Sequence, residues 1–119
     1  MNRNEITRYI ADEYGADEEH LWARYPDYAV FRHHKSRKWF ALIMDIPRNK
    51  IGLDGTERID VLDVRCDPLL IGSLLQENGF YPAYHMNKSS WITIALDDTV
   101  EAEKIEWLLD MSFQTAGKK

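Results

Sequence analysis

The chain has 119 residues, of which 45% are hydrophobic, 12% aromatic and 29% charged, enough for one hydrophobic core and too short for two. A net charge of −5 argues against simple electrostatic adhesion to nucleic acid. The single cysteine, Cys66, excludes an internal disulfide, and no run approaches the ~18 apolar residues of a membrane span. Residues Met1–Arg8 show no apolar run of the kind found in a secretory signal, so a reducing cytoplasm is the expected setting.

The first helix is predicted from about Glu5 to Tyr14, because Ile6, Tyr9, Ile10 and Tyr14 share one face at helical spacing. Asn2 and Glu5 have capping-box spacing, and Gly15 supplies the stop. After the acidic connection Ala16–Glu19, two β-prone runs follow, Tyr28–Phe31 and Lys38–Met44, separated by the polar turn His34–Arg37. Ile46-Pro47 and Leu53–Thr56 read as loop punctuation. Arg58–Arg65 alternates over part of its length and reads as a third strand with one buried face.

Asp67-Pro68 is a strong helix start, and Leu70, Ile71, Leu74 and Leu75 form that helix's inner stripe. Asn78-Gly79 closes it. Phe80–Tyr84 and Ser90–Leu96 then form a hairpin, with Ile92, Ile94 and Leu96 on one side and Trp91, Thr93 and Ala95 on the other. Asp98 and Glu101 have capping-box spacing for a last helix that turns Val100, Ile105, Leu108, Leu109 and Phe113 inward, and Gly117–Lys119 is expected to fray. The order α-β-β-β-α-β-β-α implies one α+β domain over residues 1–119, a two-layer sandwich with a mostly antiparallel sheet. Ile92, Ile94, Leu96, Leu74, Leu108 and Phe40 are its expected core.

Charge is unevenly placed along the chain. Residues 24–50 gather Arg24, Arg32, Lys35, Arg37, Lys38, Arg48 and Lys50 against only Asp27 and Asp45. Arg32, Lys35, Arg37 and Lys38, with Tyr28 and Trp39, give the mixture of cations and aromatics that grips a phosphate backbone and stacks on bases. The same pattern also describes a solvated hairpin with aromatics in its core. No Walker loop, dinucleotide fingerprint or nucleophile elbow is present. His33 and His34 are adjacent, so on a strand they would point to opposite faces and could not share a metal. No metal site and no cofactor are expected.

The segment Pro82–Trp91 concentrates Tyr84, His85, Asn87, Lys88 and Trp91 at the mouth of a strand, where a binding rim would sit. His85 is the best single candidate for proton transfer, with Lys88 beside it, yet no nucleophile accompanies it. These side chains serve equally well to hold a loop in shape.

Lys38–Ala41, Ile46–Lys50, Asp63–Pro68, Pro82–Lys88 with its specific Tyr84-His85-Met86-Asn87-Lys88 element, Trp91–Ile94 and Leu96–Thr99 together resemble the MmcQ/YjbR family of small bacterial proteins. The resemblance covers nearly the whole chain. It implies a CyaY-like, secretion-chaperone-like α/β sandwich and DNA binding through wing-like hairpins, and it supplies no reaction, cofactor or catalytic set. The expected function is therefore that of a small non-enzymatic binding module, for DNA through the hairpin around residues 32–38. The alternative is a protein-partner or small-anion binder using the Tyr84–Trp91 rim, and an enzyme built on His85 comes third. Convergence of Arg32, Lys35, Arg37, Lys38, Arg48, Lys50 and Lys88 on one face would favour DNA or another anion, and dispersal would favour a protein partner.

Overall fold

Asn2 and Glu5 form a reciprocal capping box: the Asn2 side chain accepts from the Glu5 amide at 2.9 Å, and Glu5 Oε1 accepts from the Asn2 amide at 3.0 Å. The helix they start, α1 (Arg3–Tyr14), ends at Gly15, which takes the left-handed conformation a helix stop requires. In the computed structural model, which describes residues 1–118, the other elements follow the predicted order. They are β1 (Ala29–Arg32), β2 (Trp39–Pro47), a 3-10 turn (Arg48–Ile51), β3 (Arg58–Arg65), α2 (Pro68–Leu74), β4 (Phe80–Pro82), β5 (Trp91–Ala95) and α3 (Ala102–Ala116).

The five strands form one sheet in the order β1-β2-β3-β5-β4, antiparallel throughout. After β3, the connection through α2 carries the chain past one strand position to the edge, and β5 returns to fill the gap. Asp67 caps α2 by accepting from the Leu69 amide at 2.9 Å, with Pro68 at the first helical position. Pro47 ends β2 instead of opening a loop, and it pairs with Arg58. On its other side β1 extends only to the partner of Ile43, so the missing N–H of Pro47 costs no ladder bond.

The three helices cover one face. Ile6, Ile10, Phe40, Leu62, Leu74, Ile92, Ile94, Ile105 and Leu108 interlock there and are all buried; Leu96 is only half-buried. A register shift at Phe31/Arg32 lets Phe40 and Ala41 both enter this core while Trp39 and Leu42 face the other side. Ser112 of α3 serves the polar groups this bulge displaces. Its fully buried hydroxyl donates to the Phe40 carbonyl at 2.5 Å and accepts from the Arg65 amide at 2.9 Å. Strand β3 is buried on both faces, not one: Leu62 and Val64 point to the helices, and Ile59 and Val61 to a second apolar cluster.

Two local expectations are corrected. No capping box forms at Asp98 and Glu101. Asp97 instead accepts from the Thr99 amide at 3.1 Å and Asp98 is left-handed (φ 68°), so this stretch is a turn, and α3 begins only at Ala102 without a side-chain cap. Nor do Gly117 and Lys118 fray, since both are engaged by the β1–β2 turn; Lys119 lies outside the described residues.

Candidate functional site

The β1–β2 turn, expected as an exposed basic wing, is docked against the end of α3. Ser36 Oγ donates to the Ala116 carbonyl at 2.6 Å, and Lys38 Nζ to the Lys118 carbonyl at 3.2 Å. The serine satisfies a carbonyl that the helix C-terminus leaves open, and the lysine bonds one just beyond the helix, where its charge complements the helix dipole. His33 and His34 correct a further expectation. Both lie beyond β1, in the turn, with stacked rings 4.7 Å apart, and His33 lies 4.3 Å from Phe113. A Cβ on Gly117 would come within 2.6 Å of His33 Nε2, so the close approach needs glycine there.

The predicted cations do not converge as a set. Arg32 is paired with Glu19 at 3.0 Å and also donates to the Arg37 carbonyl. Lys38 is committed to the helix end, which leaves Lys35 and Arg37 as exposed cations at the tip. Arg48 and Lys50 lie beyond the opposite end of the nine-residue β2, roughly 30 Å away at a strand's rise. The structure does bring Lys50 together with Tyr84 and Lys88, in a shallow hollow of about 160 Å³.

The face of the sheet away from the helices carries the more developed site. Leu42 and Met44 of β2 form the floor of a groove of about 390 Å³. The segment before β1 supplies one wall. It is held to the sheet edge by paired backbone bonds between Glu19 and Val30, both 2.9 Å. Trp22 meets Tyr28 and Trp39 edge-on, with ring centroids 5.9 and 5.8 Å apart, and Tyr25 stacks on Tyr28 at 4.7 Å. Tyr25 remains 47% exposed, so the groove opens to solvent beside it.

His85 and Met86 complete the groove from the far side. The β4–β5 loop is therefore a strap folded across the sheet, reaching from the β4 edge to β2. It is anchored by the Tyr84 amide, which donates to Thr93 Oγ1 at 2.9 Å, and by Lys88 Nζ, which donates to the Ala83 carbonyl at 2.9 Å. Asn87 Oδ1 accepts from Ser89 and holds the turn. His85 is exposed and left-handed (φ 66°), with its ring against Tyr84. Trp91 does not belong to the rim. It starts β5 opposite Arg65 and is only 4% exposed, under a guanidinium 4.9 Å from its ring.

Beneath the strap, Asp63 of β3 is fully buried, across the sheet from Leu42 on one side and Thr93 on the other. Thr93 Oγ1 donates to Asp63 Oδ1 at 2.5 Å, and Asp63 Oδ2 has no partner. Burial raises this carboxyl to about 8, against smaller lowering effects from the Thr93 hydroxyl and the Lys88 charge. Cys66 is buried at the end of β3, where desolvation and Asp67 raise its thiol and make it unreactive. Among the described residues, no group of three or more His, Cys, Asp or Glu side chains could hold a metal ion, and no helix is long and apolar enough to cross a membrane.

Sequence reasoning missed Trp22, Tyr25, Asp63 and Thr93. The signal for Asp63 was its parity: it shares a strand face with Ile59 and Val61. That for the groove wall was the aromatic density between Trp22 and Tyr28 in a segment with no regular structure.

Relatives match nearly the whole of this chain. YyaQ of Bacillus subtilis, described as an uncharacterized protein, is 36% identical over 113 residues, spanning 95% of this chain and 96% of YyaQ. A crystal structure of a protein from Pseudomonas syringae superposes with a TM-score of 0.95 at 47% identity, covering 98% of this chain and 99% of that one. Deinococcus radiodurans protein DR2400 superposes with a TM-score of 0.76 at 27% identity, covering 100% of this chain and 81% of its own. A sequence model described as YjbR matches residues 11–115, and with it the chain belongs to the YjbR family.

Proposed function

We propose that this YjbR-family chain is a non-enzymatic binding module whose ligand occupies the open-face groove. The observation that carries this reading is a cleft of about 390 Å³ walled by two tryptophans and two tyrosines, a volume and lining suited to a small apolar or aromatic ligand. The basic hairpin gives less support to DNA binding, because Arg32 and Lys38 are already engaged within the chain. Lys50 beside its hollow gives some support to a second, small-anion site, weakened because Lys88 there already donates to the Ala83 carbonyl. A fragment screen read by amide and indole resonances tests the choice. Aromatic fragments are expected to shift the indole signals of Trp22 and Trp39, and phosphate the signals near Lys50 and Lys88. Shifts confined to Lys35 and Arg37 on adding duplex DNA would reverse the assignment.

A further inference from the structure

We infer that the groove takes a flat aromatic ligand whose carbonyl oxygen accepts a hydrogen bond from the Asp63 carboxyl, with the strap Ala83–Ser90 lifting to admit it. This rests on the groove reading above and adds the chemical class of the ligand.

The buried pair of Asp63 and Thr93 has its protons fixed by its partners. Thr93 Oγ1 accepts the Tyr84 N–H, so its single proton goes to Asp63 Oδ1. A fully buried carboxyl with one such donor is costly to ionise, and Lys88, the nearest cation acting on it, is spent on the Ala83 carbonyl. Asp63 is therefore a neutral acid whose proton sits on Oδ2, and that oxygen has no partner. Buried polar groups are normally satisfied, and an orphaned one calls for an explanation.

Its position supplies one. Asp63 lies directly across the sheet from Leu42, which lines the groove floor, and the strap closing over it also forms the groove's far wall. The strap is tied at its ends, by the Tyr84 amide to Thr93 and by the Ser90 carbonyl to the Cys66 amide. Between them His85 is exposed, makes no hydrogen bond among the described residues and is left-handed, a conformation that stores strain in a non-glycine residue. A neutral acid donates to an acceptor, and the Lys88 charge nearby disfavours a cationic ligand. Aromatic walls select a flat body.

The test uses the intact protein with 2-acetylnaphthalene and its hydrocarbon isostere 2-isopropenylnaphthalene, followed by the indole resonances of Trp22 and Trp39. The ketone is expected to bind about tenfold more tightly, the worth of one well-made buried hydrogen bond. Asp63→Asn should keep that preference, since its amide still donates, and Asp63→Leu should erase it. Equal binding of the two probes to the parent protein, or a preference that survives in Asp63→Leu, would overturn the role of Asp63 and assign Oδ2 to an internal water while the groove reading stands. If neither probe moves Trp22 or Trp39, the groove reading falls as well.

Discussion

Ser36 Oγ, at the tip of the β1–β2 turn, donates to the Ala116 carbonyl in the last turn of α3, 80 positions away in sequence, at 2.6 Å. The bond turns a hairpin that would otherwise project into solvent into part of the two-layer body. Ser36→Ala is expected to lower stability by about 1 kcal/mol, the usual net worth of one such hydrogen bond. Urea denaturation would show this as a lower midpoint at unchanged slope. A midpoint equal to the parent's would mean that the turn holds its place without the bond.

The docked turn also limits what the hairpin can do with DNA. With Lys35 and Arg37 exposed at the tip and Lys38 held to the Lys118 carbonyl, roughly two phosphate contacts are available, which implies a salt slope of about −2 in log K against log salt. Titrating labelled duplex at several salt concentrations should therefore give weak, salt-labile binding at most. A slope of about −5 or steeper would require the other cations to join, and with them a rearranged hairpin.

His33 should make stability fall in acid. Its Nδ1 accepts from the amides of Lys35 and Ser36 at 3.1 and 3.3 Å, so the neutral ring fits the turn and the protonated ring loses both bonds. Burial, with the neighbouring His34 and Lys35, lowers its pKa. The unfolded chain then takes up the proton first, near the ordinary histidine value of about 6.5. Stability is full above that value and is lost as pH falls through it toward the folded-state value. Denaturation midpoints from pH 7.5 to 5 should drop, and His33→Phe, which keeps the stack on Phe113, should drop less.

Asp63 acts in the opposite sense. The folded protein holds this proton up to about 8, whereas the unfolded chain gives it up near the ordinary value of about 4. Between these values the unfolded state binds fewer protons, so this group lowers stability progressively as pH rises and ceases to do so above about 8. Asp63→Asn, which keeps the bond from Thr93, should gain stability over the parent as pH rises from 5 to 9. A difference between the two proteins that stays constant with pH would show that Asp63 is ionised in the fold.

The sequence by itself determined the element order, the capping box at Asn2 and Glu5, the Asp67-Pro68 helix start and most of the helix-facing core. All of these depend on neighbours within a few positions, or on a period that one segment displays alone. Only the tertiary structure decided the site. Glu19 reaches across to Val30, the strap carries His85 and Met86 over the sheet to Leu42 and Met44, and the hairpin tip meets α3. A local pattern cannot show which way a loop folds, so Trp91 read as rim although it is buried, and nothing local placed the segment from Trp22 to Tyr25 as the wall of a groove. The charges of Arg32 and Lys38 were visible in the sequence. Their engagement by Glu19 and the end of α3 was not, because a salt bridge or a helix cap is made by whichever partner the fold brings near.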